Sequence, residues 1–243
     1  PTVPTSTTGA PRLAEVLPIA AMAQDHWTIK VARDEDLRSQ IGSGGFYFDL
    51  VDFDRVRAFQ VPVGTTVILF MEELAKELGT PVKFQHLWLC QRRQNGTRRP
   101  SRPLNSKEKK LSIGRVFSAD VKLFLEVLNP CSPRNLNREY LLVFLKFYDP
   151  EQTQLRYIGT LFVSCSSRPL DILPKLRSVA GFCADEEIEL YEEIKFEPNV
   201  MCEALDIHHT FTVNQVWFCY TCFLLFHLLL NPRTYFLRSR SSD

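Results

Sequence analysis

The sequence is short of net charge. Its 29 basic and 28 acidic side chains leave +1 over 243 residues, which argues against a polyanion binder driven by overall charge. It lacks the glycine content and period of a collagen-like chain, and at 45% hydrophobic residues it lacks the polarity of a disordered one. No basic, then apolar, secretory start is present. The chain opens PTVPTSTTGAP without a methionine, which suggests a fragment. Residues 1–26 read as disordered apart from a short helix at Leu13–Gln24 that Pro18 interrupts. The seven cysteines are odd in number and share no spacing, so free thiols in a reducing compartment are expected and a disulfide framework is not. Cys219 and Cys222 form a lone CxxC inside an apolar run, too few ligands for a structural zinc site. No cofactor or metal is expected.

Two opposed segments hide in the neutral average. Arg92 to Lys110 holds eight bases and one acid, and Asp185 to Glu197 holds seven acids and one base. Around them the chain reads as α+β. Trp27–Val31 and Arg55–Val61 alternate as strands. Val67, Phe70, Met71, Leu74 and Leu78 make one apolar helical face that Gly79 and Pro81 terminate, with Thr65 or Thr66 able to cap it. A strand at His86–Gln91, a polar basic loop and a strand at 121–128 follow. The second half repeats this order. Tyr140–Tyr148 is a buried strand and Arg156–Val163 its hairpin partner. Leu170–Ala180 is a helix that Asp171 could cap, with Pro174 in its first turn and Gly181 at its end, and Ile188–Ile194 is the next strand. An internal repeat of about a hundred residues is the reading, joined through Asn129–Asn137. A hairpin, a helix across it and further strands make an α+β roll, of which the ubiquitin-like fold is one example.

The basic stretch has no base-stacking aromatic, so nucleic acid is not expected and a solvated loop is; Arg92, Arg93, Arg98 and Arg99 are its candidate contacts for an acidic protein. In the acidic run Ile188, Leu190 and Glu192 face one way and Glu189, Tyr191 and Glu193 the other, most of it as the charged outer face of a sheet; Asp185, Glu186, Glu187 and Glu189 are the candidate contacts for a basic partner. Catalysis has little support. His86 and Cys90 share a strand face too far apart to touch, and no nucleophile, base and orienter can be assembled. From Thr210 to Pro232 there is no Asp, Glu, Lys or Arg, and the apolar core 216–230 offers an alternative, a membrane-tethered adaptor, although 15 residues is short for a span.

Several long strings then carry a resemblance: FYFDLVDFDRVRAF, KELGTPVKFQHLWL, RQNGTRRPSRPL, FYDPEQTQLRYIGTLFV, AGFCADEEIELYEEIKFEP and VMCEALD. From about Thr28 to Thr212 the chain resembles the HAUSP-type ubiquitin carboxyl-terminal hydrolases (the ubiquitin-specific protease seven family), most of all the plant members with a TRAF-like domain. It matches their first two ubiquitin-like domains, the region that binds a herpesvirus immediate-early protein, and no residue matches the family's Cys or His box. The resemblance implies two tandem ubiquitin-like β-grasp domains, 27–128 and 140–222, with a linker at 129–139 and a tail at 223–243. It implies a non-catalytic partner-docking and regulatory module of a cysteine-type deubiquitinase, resident in nucleus and cytoplasm, whose partners carry Lys/Arg-rich motifs. The family's second domain ends in an acidic turn and an interior last strand. Here that place reads TVNQVWFCY, without an acid. The last strand is therefore missing or replaced, with Val216–Cys222, apolar on both faces, as the expected surrogate.

Overall fold

The computed structural model describes residues 25–43, 50–92, 97–128, 140–149, 152–195, 201–211 and 223–228, with the backbone alone for Ile194, Lys195, Met201 and the last segment. The fold is α+β with two mixed five-stranded sheets. The first contains β1 (His26–Arg33), β2 (Arg57–Pro62), β3 (Gln85–Arg92), β4 (Arg98–Pro103) and β5 (Lys122–Val127), in the order β2-β1-β5-β3-β4. The second contains β6 (Tyr140–Asp149), β7 (Gln154–Ser164), β8 (Ile188–Lys195), β9 (Met201–Ala204) and β10 (Phe223–Leu228), in the order β7-β6-β10-β8-β9. Both orders place the last strand parallel to the first and antiparallel to the third.

Each sheet carries one long helix. In α2 (Val67–Leu78) the expected face is buried through Val67, Phe70, Met71 and Leu74, and Gly79 closes the helix in the left-handed conformation at φ 69°. Thr66 occupies the N-cap position, but its side chain makes no cap hydrogen bond. In α4 (Pro169–Ala180) the cap differs from expectation. Arg168 is the N-cap, and Asp171 sits in the first turn, where its carboxylate accepts the Arg168 N–H at 2.9 Å. Pro174 therefore falls one turn deeper than the first turn.

Alternation along the strands builds three apolar layers. Ile29, Val31, Phe59, Leu123 and Leu125 pack under α2, and Leu141, Val143, Leu145 and Leu190 pack under α4 with Leu173 and Leu176. The third layer joins the halves. Trp88, Cys90 and Phe124, on the face of the first sheet away from α2, meet Leu142, Phe144, Leu155 and Tyr157 of the second. The sheets are thus back to back between their helices, and the nearly unbroken apolar strings of β5 and β6 are buried on both faces.

Four features depart from the sequence reading. The polar basic loop contains the edge strand β4, a 3-10 turn at Glu108–Lys110 and the short helix α3 (Ile113–Val116). Pro100 and Pro103 hide β4, because proline is a strand residue only at an edge. The connection between β1 and β2 folds as α1 (Asp34–Gln40) and a 3-10 turn at Phe53–Arg55, and supplies Leu37, Ile41, Leu50, Val51 and Phe53 to the layer between the sheets. Glu193, assigned to a charged outer face, is buried, because the second sheet's outer face is covered by the first. Finally, the strand between β6 and β8 is Phe223–Leu228, within the stretch assigned to the tail; Val216–Cys222 lies outside the described residues, as do the helix at 13–24, the linker at 129–139 and the Cys219/Cys222 pair. Among the described residues no helix is long and apolar enough to cross a membrane, and the described part of the 216–230 run is a sheet strand.

Removing β10 should open the centre of the second sheet. Each buried backbone group left unpaired costs about 1–3 kcal/mol against a reserve of about 5–15. A chain ending at 222 is expected to lose amide protection across Tyr140–Lys195 in hydrogen exchange while α2 keeps its own; unchanged protection in the second sheet would contradict the pairing.

Candidate interaction surface

The acidic run begins in the turn between α4 and β8, and hydrogen bonds fix that turn. Gly181 ends α4 at φ 83°, and the Phe182 N–H returns to the Arg177 carbonyl at 2.9 Å. Phe182 then anchors edge-to-face on Phe147, with ring centres 5.1 Å apart. Arg177 Nε donates to the Glu186 carbonyl at 2.6 Å, and the Glu186 carboxylate accepts the Cys183 N–H at 3.0 Å. These contacts leave Asp185 and Glu187 exposed, with Glu186 half-buried between them. Glu189, half-buried on β8, accepts the Tyr191 hydroxyl at 2.6 Å. Burial and this carboxylate push the Tyr191 phenol up to about 12. Asp185, Glu186 and Glu187 thus form an acidic tip on a pinned backbone, able to receive cationic side chains. Glu189 stands just behind it.

The basic candidates are dispersed. Arg92 is exposed at the end of β3, and Arg93 lies outside the described residues. Arg98 bonds Asp120 at 3.0 Å, and Arg102 grips Glu108 with two bonds of 2.9 and 2.6 Å. Arg99 is 4% exposed and points into the molecule. There it meets the acidic run: its guanidinium lies 4.0 Å from Glu193, which also accepts Lys146 Nζ at 2.8 Å. The two segments whose charges cancel in the sequence therefore touch across the layer between the sheets. The sequence signal for this cluster was the single lysine in the apolar string of β6, since a buried ammonium needs an acid. Burial pushes Lys146 down to about 8 despite the pull of Glu193.

Nothing catalytic assembles among the described residues. Cys90 is buried, and desolvation pushes its thiol far up, away from the thiolate a nucleophile needs. His86 Nδ1 faces Glu126 at 3.6 Å, and that carboxylate accepts the Trp88 indole N–H at 2.8 Å. No group of three metal-ligating side chains occurs among the described residues.

The family described as the ICP0-binding domain of Ubiquitin-specific protease 7 matches residues 85–217. The chain belongs to this family. It is 48% identical over 207 residues to Ubiquitin C-terminal hydrolase 12 of Arabidopsis thaliana, covering 81% of this chain and 18% of that protein. Ubiquitin C-terminal hydrolase 13 of the same plant is 46% identical over 208 residues, again 81% of this chain and 19% of the relative. Ubiquitin carboxyl-terminal hydrolase 7 of Drosophila melanogaster is 40% identical over 68 residues, 28% of this chain and 6% of that protein. The chain thus spans about a fifth of the length of the two plant relatives. A solved N-terminal ubiquitin-like domain corresponds at a TM-score of 0.29 and 11% identity, over 54% of this chain and 100% of that one. The region matched is a non-catalytic binding region of ubiquitin-specific proteases.

In this member of the family the buried cluster makes stability depend on alkaline pH. Lys146 holds its proton less tightly when folded, at about 8 against an ordinary 10.5. Between these values the unfolded chain's lysine is the more protonated, so the Lys146 contribution to stability rises with pH. The Cys90 and Cys202 thiols, kept protonated by burial, lower stability once pH passes their ordinary 9.0. Below the window the cost of the buried charge is constant. Urea unfolding of the intact chain between about pH 8 and 9, before the thiols begin to oppose it, should show that rise, and Lys146→Met should flatten it. Glu193→Ala, which strands the ammonium, should cost about 3–5 kcal/mol.

Proposed function

We propose that the chain is the partner-docking and regulatory module of a ubiquitin-specific protease, built as two tandem ubiquitin-like β-grasp units, 27–128 and a second from 140. The second unit takes Phe223–Leu228 as its last strand in place of 216–222. The matching strand orders and the two long helices closed by left-handed glycines support the repeat. The observation that carries the docking role is membership in the ICP0-binding-domain family. The module holds no hydrolytic centre of its own, acts beside a protease domain on the same polypeptide, and works in nucleus and cytoplasm.

Its ligand is a Lys/Arg-rich segment of a partner protein, received at Asp185, Glu186, Glu187 and Glu189. The exposed carboxylates on a pinned turn support this choice, as does the burial or local pairing of Arg98, Arg99 and Arg102, which leaves the first half's bases less able to compete.

A fluorescent Lys/Arg-rich peptide titrated with the full chain should bind with strong salt dependence. Asp185→Lys with Glu187→Lys should weaken it about tenfold or more, each close charge contact being worth about 1 kcal/mol or more. Undiminished binding by that variant would place the ligand elsewhere. Incubated with ubiquitin-aminocoumarin, the chain should show no thiol-dependent turnover; hydrolysis abolished by a cysteine reagent would overturn the non-catalytic role.

A further inference from the structure

Four strands lie at sheet edges, and three carry the devices that keep an edge from pairing. β2 has six residues, with Arg57 at one end and Pro62 at the other. β4 contains two prolines and three arginines. β9 has only four residues. The exception is β7, with 11 residues, no proline and one charged side chain, Arg156; its bulge at Ile158 lies before the stretch Gly159–Ser164, which pairs with β6 in unbroken register. Among the described strands its only neighbour is β6. Its first part is covered by α1 and the residues after it. The Tyr157 hydroxyl donates to Asp34 at 2.5 Å, and a Cβ at Gly42 would run into the Leu155 carbonyl oxygen. Within Gly159–Ser164 Thr160 and Phe162 are half-exposed, with Phe162 stacked on one side by Trp88 of the first sheet.

The helix above that stretch presents a matching flank. Arg177 reaches the Glu186 carbonyl beside β8; Ile172, Lys175 and Val179 fall on the opposite side of α4, and Ile172 packs against the layer that holds Leu161 and Val163 of β7. Val179 is 42% exposed and Lys175 is exposed. The charges there are Lys175 and Arg156, since Asp171 is matched by Arg168 at 2.7 Å. A second copy of this chain would bring the same cations against themselves. An extended apolar segment flanked by acids complements both the edge and its charge.

We propose that the Gly159–Ser164 edge of β7 is a strand-addition site for an extended, acid-flanked apolar segment of a partner protein. The site is separate from the acidic tip and of opposite preference, so it does not rest on the capture of basic motifs.

The test uses the full chain and an acetylated hexapeptide of alternating valine and isoleucine with terminal aspartates, beside a lysine-terminated counterpart. Saturating aspartate peptide should slow amide exchange at 159–164 about tenfold, and the lysine peptide should bind about fivefold more weakly or worse. Lys175→Glu, on an exposed helix position, leaves Arg156 balanced by the new acid and should erase that difference, and Thr160→Pro should abolish binding with little change in thermal midpoint. If Thr160→Pro unfolds the second sheet, the loss of the aspartate-peptide preference in Lys175→Glu decides alone. No slowing at 159–164, equal binding of both peptides by the unaltered chain, or slowing that follows chain concentration without peptide would each overturn the proposal, the last by assigning the edge to a second copy.

Discussion

The contact on which the rest depends is the apolar layer between the two sheets. Phe124 meets Phe144 edge-to-face at 5.1 Å, and Trp88 stacks on Phe162 at 6.3 Å. Such aromatic pairs add about 0.5–1.5 kcal/mol each beyond the area they bury. With this layer in place, neither sheet has a free back face, and β5 and β6 can be apolar on both sides. The same layer takes Arg99, Glu193 and Lys146 out of water, so a chain of almost zero net charge uses part of its cancellation internally.

That burial separates structural from available charge. Of the acidic run, Glu193 joins the halves, Glu189 orients Tyr191, and Asp185 and Glu187 stay in solvent. Of the basic stretch, Arg99 is enclosed, Arg98 and Arg102 have local acidic partners, and Arg92 is exposed. Counting charges along the sequence overstates the surface on both sides. The surface that survives is a small acidic tip held by backbone hydrogen bonds.

The long elements were legible because one physical rule dominated each. The apolar face from Val67 to Leu78 fixes α2, and nearly unbroken apolar strings mark β5 and β6. β4 was not legible because prolines erase strand periodicity without forbidding an edge strand. Nor was α1, a seven-residue helix whose burial comes from the other half of the chain. The interior strand was expected about seven residues early. From 216 to 230 only Thr221 and His227 interrupt the apolar run, so composition marks the segment and only the ladders to Lys146 and Tyr191 mark the register. Of the four acidic candidates Asp185 and Glu187 are exposed and Glu186 and Glu189 half-buried, and sequence had no means of finding the layer that buries Glu193.

Packing sheet against sheet also sets how the module presents its surfaces. The insertion that holds α1 reaches Tyr157 through Asp34 and Arg38, the latter 5.7 Å above the ring, so the second sheet is gripped at β7 as well as across the aromatic pairs. The acidic tip and the β7 edge then stand in a fixed relation to the first half. The most direct measurement is of residual dipolar couplings for backbone amides in both halves of the intact chain. One alignment tensor should fit His26–Val127 and Tyr140–Lys195 together; two distinct tensors, or a reduced magnitude for one half, would contradict the shared layer as the organising contact.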